Sequence, residues 1–415
     1  MLQQHGGNSR FLWNKLVEFS QYFTNENKKF PNQSILQKEI INIKNANAFL
    51  RHSHSQPLQI HAQRLTIVNS NSIKPKTIQE RKAKVAKANT PKQKAKAFDF
   101  GKPKFKAKHF ENDSIFYPQN FKIKNSKIFL AKIGWIPFVK HRKIQGKPLH
   151  LTIKQDGEQW HCSIACEIHI KDALKPDVKD ANIIGIDVGV KVFATCSDGT
   201  VIKNPRTLQK RLRKLKKQQK ILSRRTFVEK EVHGTRTVSS NNRTKQKRKV
   251  RKTHRKIKQI RNDFLHKVSH HMITKYDGFI LETLSIKSML ASGDKNLNRN
   301  ILDVSWFEFG RQLEYKSLWN SKYFVRTDRY SPTTKKCSQC GNIVEMELKD
   351  RAYDCPLCDN RMDRDYNASL NILSEGLDKL NNTTGTVGIN ACGQSALAGW
   401  TKQEKFVENF VPAFA

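Results

Sequence analysis

The chain has 415 residues and a formal net charge of +41, from 77 Lys and Arg against 36 Asp and Glu. This imbalance exceeds what solubility requires and predicts a polyanionic partner, with nucleic acid first among the candidates. No run of 18 apolar residues occurs, and the first residues lack an apolar core of signal-peptide type. We therefore expect a cytoplasmic, nucleoid-associated protein with no membrane partner, whose 8 cysteines are thiols or metal ligands rather than disulfides.

The N-terminal part is predicted to be helical and then basic. Apolar residues recur at steps of three and four in "RFLWNKLVEFSQYF", which predicts helices from Arg10 to about Leu50. Ser53 to Ala97 is expected to be irregular and polar. From Lys74 to Phe110 there are 13 Lys and Arg against two acids. This stretch is either a flexible basic linker or a segment that becomes ordered on a phosphate backbone.

The pattern changes to a period of two between Phe121 and Ile168. Residues alternate on both sides of Asn125-Ser126 in "FKIKNSKIFL" and around Asp156-Gly157 in "LHLTIKQDGEQWHCSIACEI". A DG pair between alternating segments is a strong hairpin signal. The sequence therefore predicts an antiparallel sheet or a small barrel here.

A long basic segment follows, with 23 Lys and Arg against two Glu between Arg206 and Arg261. Its apolar residues form two helical stripes, and the polar middle from Thr226 to Asn242 is predicted to be the loop between two helices. The stripes are Leu208, Leu212, Leu215 and Leu222, and Val250, Ile257, Phe264 and Val268. The alternative is a merely solvated charged face. We favour one wall of a nucleic-acid groove, because the stripes indicate packed helices whose opposite faces are positive.

Two cysteine pairs have the spacing of a metal site. Cys337 and Cys340 are followed, after fourteen residues, by Cys355 and Cys358. Two such turns can close a tetrahedral zinc site, with Zn–S distances of about 2.3 Å. A redox dithiol would need only one pair and is disfavoured. Because four cysteines leave no open position, the sequence predicts one structural zinc ion.

Three acids stand at places where carboxylates are unusual. Asp187 ends a buried-type strand, Glu282 ends another, and Asp365 stands at the start of a helix. If they converge, they could hold two Mg²⁺ ions about 3.5–4 Å apart, which is the arrangement that hydrolyses phosphodiesters. Spacing alone only suggests this, since each acid could instead be a helix cap or a surface charge.

Three sequence blocks, in this order, resemble the TnpB/OrfB proteins of bacterial insertion sequences, which are compact relatives of type V CRISPR effectors. The blocks are "IGIDVGVKVFATCSDG", "ILETLSIKSM" and "CSQCG…C…CDNRMDRDYNASLNIL". The basic segments "NPRTLQKRLRKLKKQQKILSRR" and "KVRKTHRKIKQIRNDFLHKVS" are also similar to that family. The resemblance extends from about Arg10 to Gly376.

The resemblance implies a multidomain α+β fold. It has an N-terminal β-barrel with a helical insertion and an RNase H-like (RuvC) α/β nuclease domain with an inserted zinc ribbon. The implied domains are a helical recognition segment with basic linker (1–110), a wedge-like barrel (111–180), the nuclease domain (181–330, with the basic hairpin at 206–268), the ribbon (331–360), the last nuclease helix (361–380) and a flexible tail (381–415).

The resemblance also implies a function. It is a transposon-encoded, RNA-guided DNA endonuclease that is linked to transposition and uses a two-metal RuvC mechanism. The partners would be a guide RNA from the transposon end and double-stranded target DNA carrying a short flanking motif. The family's motifs assign the catalytic, Mg²⁺-binding acids to Asp187, Glu282 and Asp365, with Asp363 as the fallback for the third. The alternative is a non-cleaving or decayed relative that only binds nucleic acid.

The N-terminus departs from the family pattern. The family usually begins with a strand of the type "YKxRLYP" ahead of the first helix, whereas here the helix pattern begins almost at Met1. The expectation is either a start codon farther upstream or a truncated copy, and the second would impair guide binding.

Overall fold

The computed structural model describes residues 1–107, 113–140, 142–168, 174–225, 240–292, 294–347 and 350–383, and the backbone of 406–412. The chain divides into two units, Met1–His169 with Lys402–Ala415, and Ile170–Thr401. No helix in these ranges is both long and apolar enough to cross a membrane.

Helices open the first unit. Three of them pack around a core that includes Leu12, Leu16, Leu36, Leu58 and Leu65. The helices are α1 (Leu2–Asn27), α2 (Gln33–Ala46), α3 (Ser55–Ser72), α4 (Pro75–Ala86) and α5 (Pro91–Phe98), with a short 3-10 helix at Ala48–His52 between α2 and α3.

The expectation that Ser53 to Ala97 is irregular was wrong, since α3, α4 and α5 occupy it. In α3 the apolar residues follow a helical spacing and pack against α1 and α2. The polar residues between them made this spacing hard to recognise in the sequence. Neither α4 nor α5 buries a residue, so their lysines remain at the surface. The two helices are fixed by contacts such as those of Arg81, which donates to the carbonyls of Ser72 and Phe100.

Strands complete the first unit, and both predicted hairpins are confirmed. The strands are β1 (Ser114–Tyr117), β2 (Phe121–Lys124), β3 (Lys127–Leu130), β4 (Gly134–Pro137), β5 (Lys147–Asp156) and β6 (Gln159–Glu167). Within the described ranges they form open sheets, with β2-β3-β4 in one and β1-β5-β6 in another, and no closed barrel is found. The expected barrel is therefore replaced there by two sheets around a shared core.

The second unit is built on a five-stranded sheet in the order β11-β10-β7-β8-β9. Strand β8 is antiparallel to β7, and β9 is antiparallel to β8. On the other side of β7, both β10 and β11 are parallel to it. The elements in chain order are β7 (Ile183–Val188), β8 (Val192–Cys196), β9 (Val201–Lys203), α6 (Thr207–Arg224), α7 (Asn241–Lys275), β10 (Gly278–Leu281), α8 (Ile286–Ser292), α9 (Lys295–Val304), α10 (Trp306–Trp319) and β11 (Tyr323–Arg326).

A last helix covers the face of this sheet opposite to α7 and α10. After the short strands β12 (Ala352–Asp354) and β13 (Arg361–Asp363), helix α11 (Arg364–Thr383) packs Ile372 against Ile280 and Val325. Two glycines permit this close packing. A Cβ atom on Gly185 would lie 2.3 Å from the Ser369 carbonyl oxygen, and one on Gly376 would lie 2.3 Å from Ile280.

The basic segment forms a pair of packed helices, as the stripes predict. On α6 Leu215 is buried, and on α7 Ile257 is buried. Between the two helices, Gln246 donates to the carbonyl of Gln218, and Thr253 donates to the side-chain oxygen of the same glutamine. Most of the predicted loop, 226–239, lies outside the described residues.

The C-terminal tail is described only in part. Helix α11 extends to Thr383, and strand β14 (Phe406–Pro412) pairs antiparallel with β6 in the first unit. Residues 384–405 and 413–415, on which most of the prediction of a flexible tail falls, lie outside the described residues.

Candidate active site and cysteine cluster

Two of the predicted acids meet where two neighbouring inner strands of the second unit's sheet end. Strands β7 and β10 are parallel, and Ile186 pairs with Leu281. The next residue is an acid in both cases, Asp187 within β7 and Glu282 directly after the end of β10, so the register places the two acids side by side. A side-chain hydrogen bond joins the two carboxyl groups.

Burial dominates the electrostatics of this pair. Desolvation, together with the negative charges of Glu282 and Asp365, raises the pKa of Asp187 well above its usual range, and the nearby Arg364 partly opposes the rise. Burial also raises the pKa of Glu282. Buried carboxylates that repel each other are costly unless a positive charge joins them. A divalent cation would supply that charge, so the donor set fits a Mg²⁺ site.

The third acid lies on the first turn of α11. The carboxylate of Asp365 accepts from Arg364 at 3.0 Å and lies 3.9 Å from Arg351, and its side chain is 24% exposed. Its charge acts on Asp187, which places the two acids in one electrostatic neighbourhood. The three carboxylates do not form a tight cluster. In the part of the chain that the structure describes, only the four cysteines gather their ligand atoms within 4.8 Å of one another.

The fallback acid, Asp363, has a different role in the structure. Its Oδ1 atom accepts the backbone N–H groups of Asp365 at 2.9 Å and Tyr366 at 3.1 Å. This is the contact pattern of a helix N-cap, which satisfies donors that the first turn leaves free. Asp363 therefore begins the helix that carries Asp365.

The four cysteines converge as their spacing predicts. The Sγ atoms of Cys337 and Cys358 are 3.6 Å apart, as are those of Cys340 and Cys355. A tetrahedron with metal–sulfur bonds of about 2.3 Å has an edge of about 3.8 Å, close to both distances. The cluster can therefore hold a metal ion such as zinc.

Each CxxC turn has the same backbone geometry. The residue after the second cysteine has positive φ, 76° at Gly341 and 55° at Asp359. The backbone N–H of that residue donates a hydrogen bond to the carbonyl of the first cysteine. Burial alone would raise the pKa of the Cys337 thiol, but the N–H groups of Cys340 and Gln339 and the Asn360 amide lower it to about 6. Such donors favour the thiolate, which is the form that binds metal.

Sequence patterns missed several residues around the site. Arg364 contacts Asp365, and two buried asparagines of α11, Asn367 and Asn371, contact the segment that leads into the first cysteine turn. A usable signal did exist, because the two asparagines are four residues apart on a helix and therefore share a face. The leucines of the same helix form a more obvious pattern, at Leu370, Leu373, Leu377 and Leu380. Leu370 and Leu373 are nevertheless only partly buried.

Two family models match the chain. The model OrfB_IS605, described as "Probable transposase", matches residues 163–292. The model of the Cas12f1-like TNB domain matches residues 306–372, which include the four cysteines and Asp365.

Curated proteins give a consistent picture. The chain is 32% identical over 305 residues to "Putative RNA-guided DNA endonuclease InsQ" of Escherichia coli K12, covering 70% of each protein. It is 33% identical over 233 residues to "Putative RNA-guided DNA endonuclease" of Streptomyces pristinaespiralis, covering 56% of this chain and 54% of that protein. A "TnpB-like protein L79" of Acanthamoeba polyphaga mimivirus is 27% identical over 256 residues, which are 60% of this chain and 48% of that protein. The chain therefore belongs to the TnpB/OrfB family.

Solved structures give a weaker likeness. A cryo-EM structure of a Cas12f1–sgRNA–target DNA complex aligns with a TM-score of 0.32 and 16% identity, over 90% of this chain and 93% of that one. A CRISPR–Cas12f ternary complex aligns with a TM-score of 0.35 and 14% identity, over 89% and 80%.

Proposed function

We propose that the protein is a transposon-encoded, RNA-guided DNA endonuclease that hydrolyses phosphodiester bonds with Mg²⁺ held by Asp187, Glu282 and Asp365. The juxtaposition of Asp187 and Glu282 at the ends of adjacent parallel strands is the observation that carries the proposal. The five-stranded sheet, in which β7, β8 and β9 are successive antiparallel neighbours and β10 and β11 are parallel to β7, supports an RNase H-like domain. The names of the curated relatives support the reaction class.

The chain's own residues prepare the site for cations. Glu282 and Asp187 are partly buried at the end of the sheet, and Asp365 is oriented by Arg364 and by the helix that Asp363 caps. Two bound Mg²⁺ ions would activate the attacking water and stabilise the leaving oxygen. The three carboxylates would bind and orient those ions, and the repulsion between the acids would be relieved on binding.

The cysteine cluster is proposed to hold one structural zinc ion. All four ligand positions are filled by thiols, so no position remains for a reacting group. The cluster would therefore stabilise the ribbon of residues 331–360.

The positive surface is proposed to bind a guide RNA from the transposon end and a double-stranded target DNA. The net charge of +41 provides a strong, salt-sensitive attraction for phosphates. The packed helices α6 and α7 leave exposed lysines on their outer faces, as a channel for an RNA–DNA duplex requires. Action at the nucleoid and a link to transposition follow from the same proposal.

The test combines cleavage with binding. Asp187→Ala, Glu282→Ala and Asp365→Ala should each abolish cleavage of a matched target by the protein–RNA complex, while target binding stays within about twofold. Asp263→Ala serves as the control, since that acid is exposed on α7 and forms an ion pair with Lys267 on the same helix. A wild-type complex that binds a matched target but never nicks it, with either Mg²⁺ or Mn²⁺, would instead identify a non-cleaving relative.

A further inference from the structure

We propose that Asn367 and Asn371 are positioning residues that fasten the Cys337–Cys340 turn to helix α11 and so couple metal binding at the cysteines to the placement of Asp365. This inference rests on the proposed function, because it assigns Asp365 to the Mg²⁺ site. It concerns how the site is held and goes beyond the reaction itself.

The Asn367 side chain forms hydrogen bonds in both directions. Its Oδ1 atom accepts the backbone N–H of Ser338 at 3.0 Å, inside the first CxxC turn. Its Nδ2 atom donates to the carbonyl of Lys336 at 2.8 Å. The side chain is fully buried, so losing either partner would leave a polar group without water to replace it.

Asn371 repeats the contact one turn farther along α11. Its Nδ2 atom donates to the carbonyls of Thr333 at 2.8 Å and Lys336 at 2.6 Å. The Lys336 carbonyl thus accepts from both asparagines, immediately before Cys337. Residues four apart lie on the same face of a helix, so the pair holds one strip of chain along α11.

A second connection reaches the helix from the other cysteine pair. Strand β13 leads from Cys358 directly into α11, and the N–H of Arg364 donates to the carbonyl of Arg351 at 2.8 Å. The cysteine cluster is therefore connected to α11 twice, through the asparagines and through the chain that leads from Cys358 into the helix. Asp365 lies on the first turn of that helix. Without a metal ion on the cysteines, the Cys337–Cys340 turn would lose its connection through the metal to the second cysteine pair. Ser338 and Lys336 would then no longer be held in place against the two asparagines.

The coupling is positional, since the amides of both asparagines are engaged with the backbone between Thr333 and Ser338. They would act on the acid site only through the placement of α11. Groups that orient metal ligands typically affect metal affinity by about 10- to 100-fold. Coupling between two sites is reciprocal, so occupancy of the acid site should also strengthen metal binding at the cysteines by the same factor.

The decisive experiment measures Mn²⁺ binding to the full-length protein, purified with zinc, by electron paramagnetic resonance without nucleic acid. Asn367→Ala and Cys355→Ser should each weaken Mn²⁺ binding by roughly tenfold. The double variant should lose no more than either single variant, because both changes break one connection. Asn204→Ala is the matched control in the same unit, since Asn204 also donates to a carbonyl and accepts an N–H, but its partners are Val190 and Arg206.

Two results would overturn the inference: Mn²⁺ binding by folded Asn367→Ala that equals the wild type, or a double variant whose losses multiply to about a hundredfold. If Asn367→Ala fails to fold, Asn371→Ala should show the same loss of binding, and its absence would be equally decisive. Asp365→Ala separates the two proposals. Unchanged Mn²⁺ binding in that variant removes Asp365 from the metal site whatever the asparagines do.

Discussion

The backbone N–H of Ser338 donates to the side chain of Asn367 at 3.0 Å, which joins the interior of a cysteine turn to the helix that carries Asp365. The cysteine cluster and the acid are therefore parts of one connected piece of structure. The segment from Cys337 to Leu373 has two possible roles, as a module that binds nucleic acid or as a clamp that holds Asp365 in place. These contacts favour the clamp, and they leave open surface on the ribbon, where Ile343 and Leu357 are exposed.

The two acids at the start of α11 should respond differently to the same change. Asp363→Asn should retain cleavage to within about threefold, because asparagine also caps helices well. Asp365→Asn should lose at least about a hundredfold, because it removes a charge that would bind Mg²⁺. Cleavage rates of the two protein–RNA complexes at saturating Mg²⁺ give the comparison. Equal losses would mean that Asp363 takes part in catalysis.

Asp187→Asn should stabilise the protein while abolishing cleavage. The pKa of Asp187 is raised in the folded state, whereas an unfolded Asp titrates near about 3.9. Between these values the folded state holds the extra proton, so the wild type loses stability as the pH rises. The variant lacks this penalty and should have the higher Tm above the folded pKa, by about 2–4 °C per kcal/mol relieved.

Thermal unfolding of zinc-loaded wild type and Asp187→Asn, without other divalent ions and between pH 4 and pH 8, checks the predicted difference in Tm. The difference in Tm should shrink toward pH 4, where the folded carboxyl is protonated and the unfolded one is about half protonated. A difference that is constant across the range would show that the gain has another cause. Added Mn²⁺ should reverse the order, since only the wild type offers the full set of carboxylates.

The zinc prediction concerns composition. Wild-type protein should contain about one zinc per chain, and Cys355→Ser should lose it, because three thiols no longer close the tetrahedron. Cys162→Ser is the control, since that buried cysteine belongs to the core of the first unit. Elemental analysis of purified protein measures both. Wild-type protein that lacks zinc after purification without chelators would refute the assignment.

Local patterns predicted some of these features well. The DG pair at Asp156-Gly157 and the spacing of Cys337, Cys340, Cys355 and Cys358 depend on short-range geometry, and both hairpin and cluster are found. The register that brings Asp187 to Glu282 is different, because it depends on pairing between strands that are far apart in the chain. The acid at the end of each strand suggested that the two could meet, but only the pairing of the strands in three dimensions determines that they do.

Other features could not be deduced. Helices α4 and α5 bury no residue, so they leave no apolar stripe that could distinguish them from a basic linker. The role of Asn367 depends on a partner on another segment, and no single-sequence pattern records that partner. The same holds for Arg364, since its contact with Asp365 is visible only once both side chains are placed.

Gly376→Ala should destabilise the second unit. A Cβ atom there would lie 2.3–2.6 Å from three side-chain atoms of Ile280, so α11 would have to move away from β10. Overpacking of this kind costs about 1–3 kcal/mol. Ser374→Ala, on the exposed side of α11, should change stability by less than about 0.5 kcal/mol.

Urea unfolding of the Gly376→Ala and Ile280→Ala variants and of their combination checks this cause. The double variant should be less destabilised than the sum of the two single variants, because alanine at 280 makes room for the new methyl group. Strict additivity would mean that the loss at 376 does not come from Ile280.

The outer face of α6 should bind phosphates. Lys210, Lys214 and Lys217 are exposed on one side of the helix, opposite to the buried Leu215. Replacing Lys214 and Lys217 with Gln should weaken binding of duplexes of any sequence by similar factors. The slope of log K against log salt should fall by about one for each phosphate that the variant no longer binds. Lys295→Gln, which alters an exposed lysine on α9, is the control. Titrations between about 50 and 200 mM salt measure the slope, and an unchanged slope in the double variant would show that this face lies outside the nucleic-acid interface.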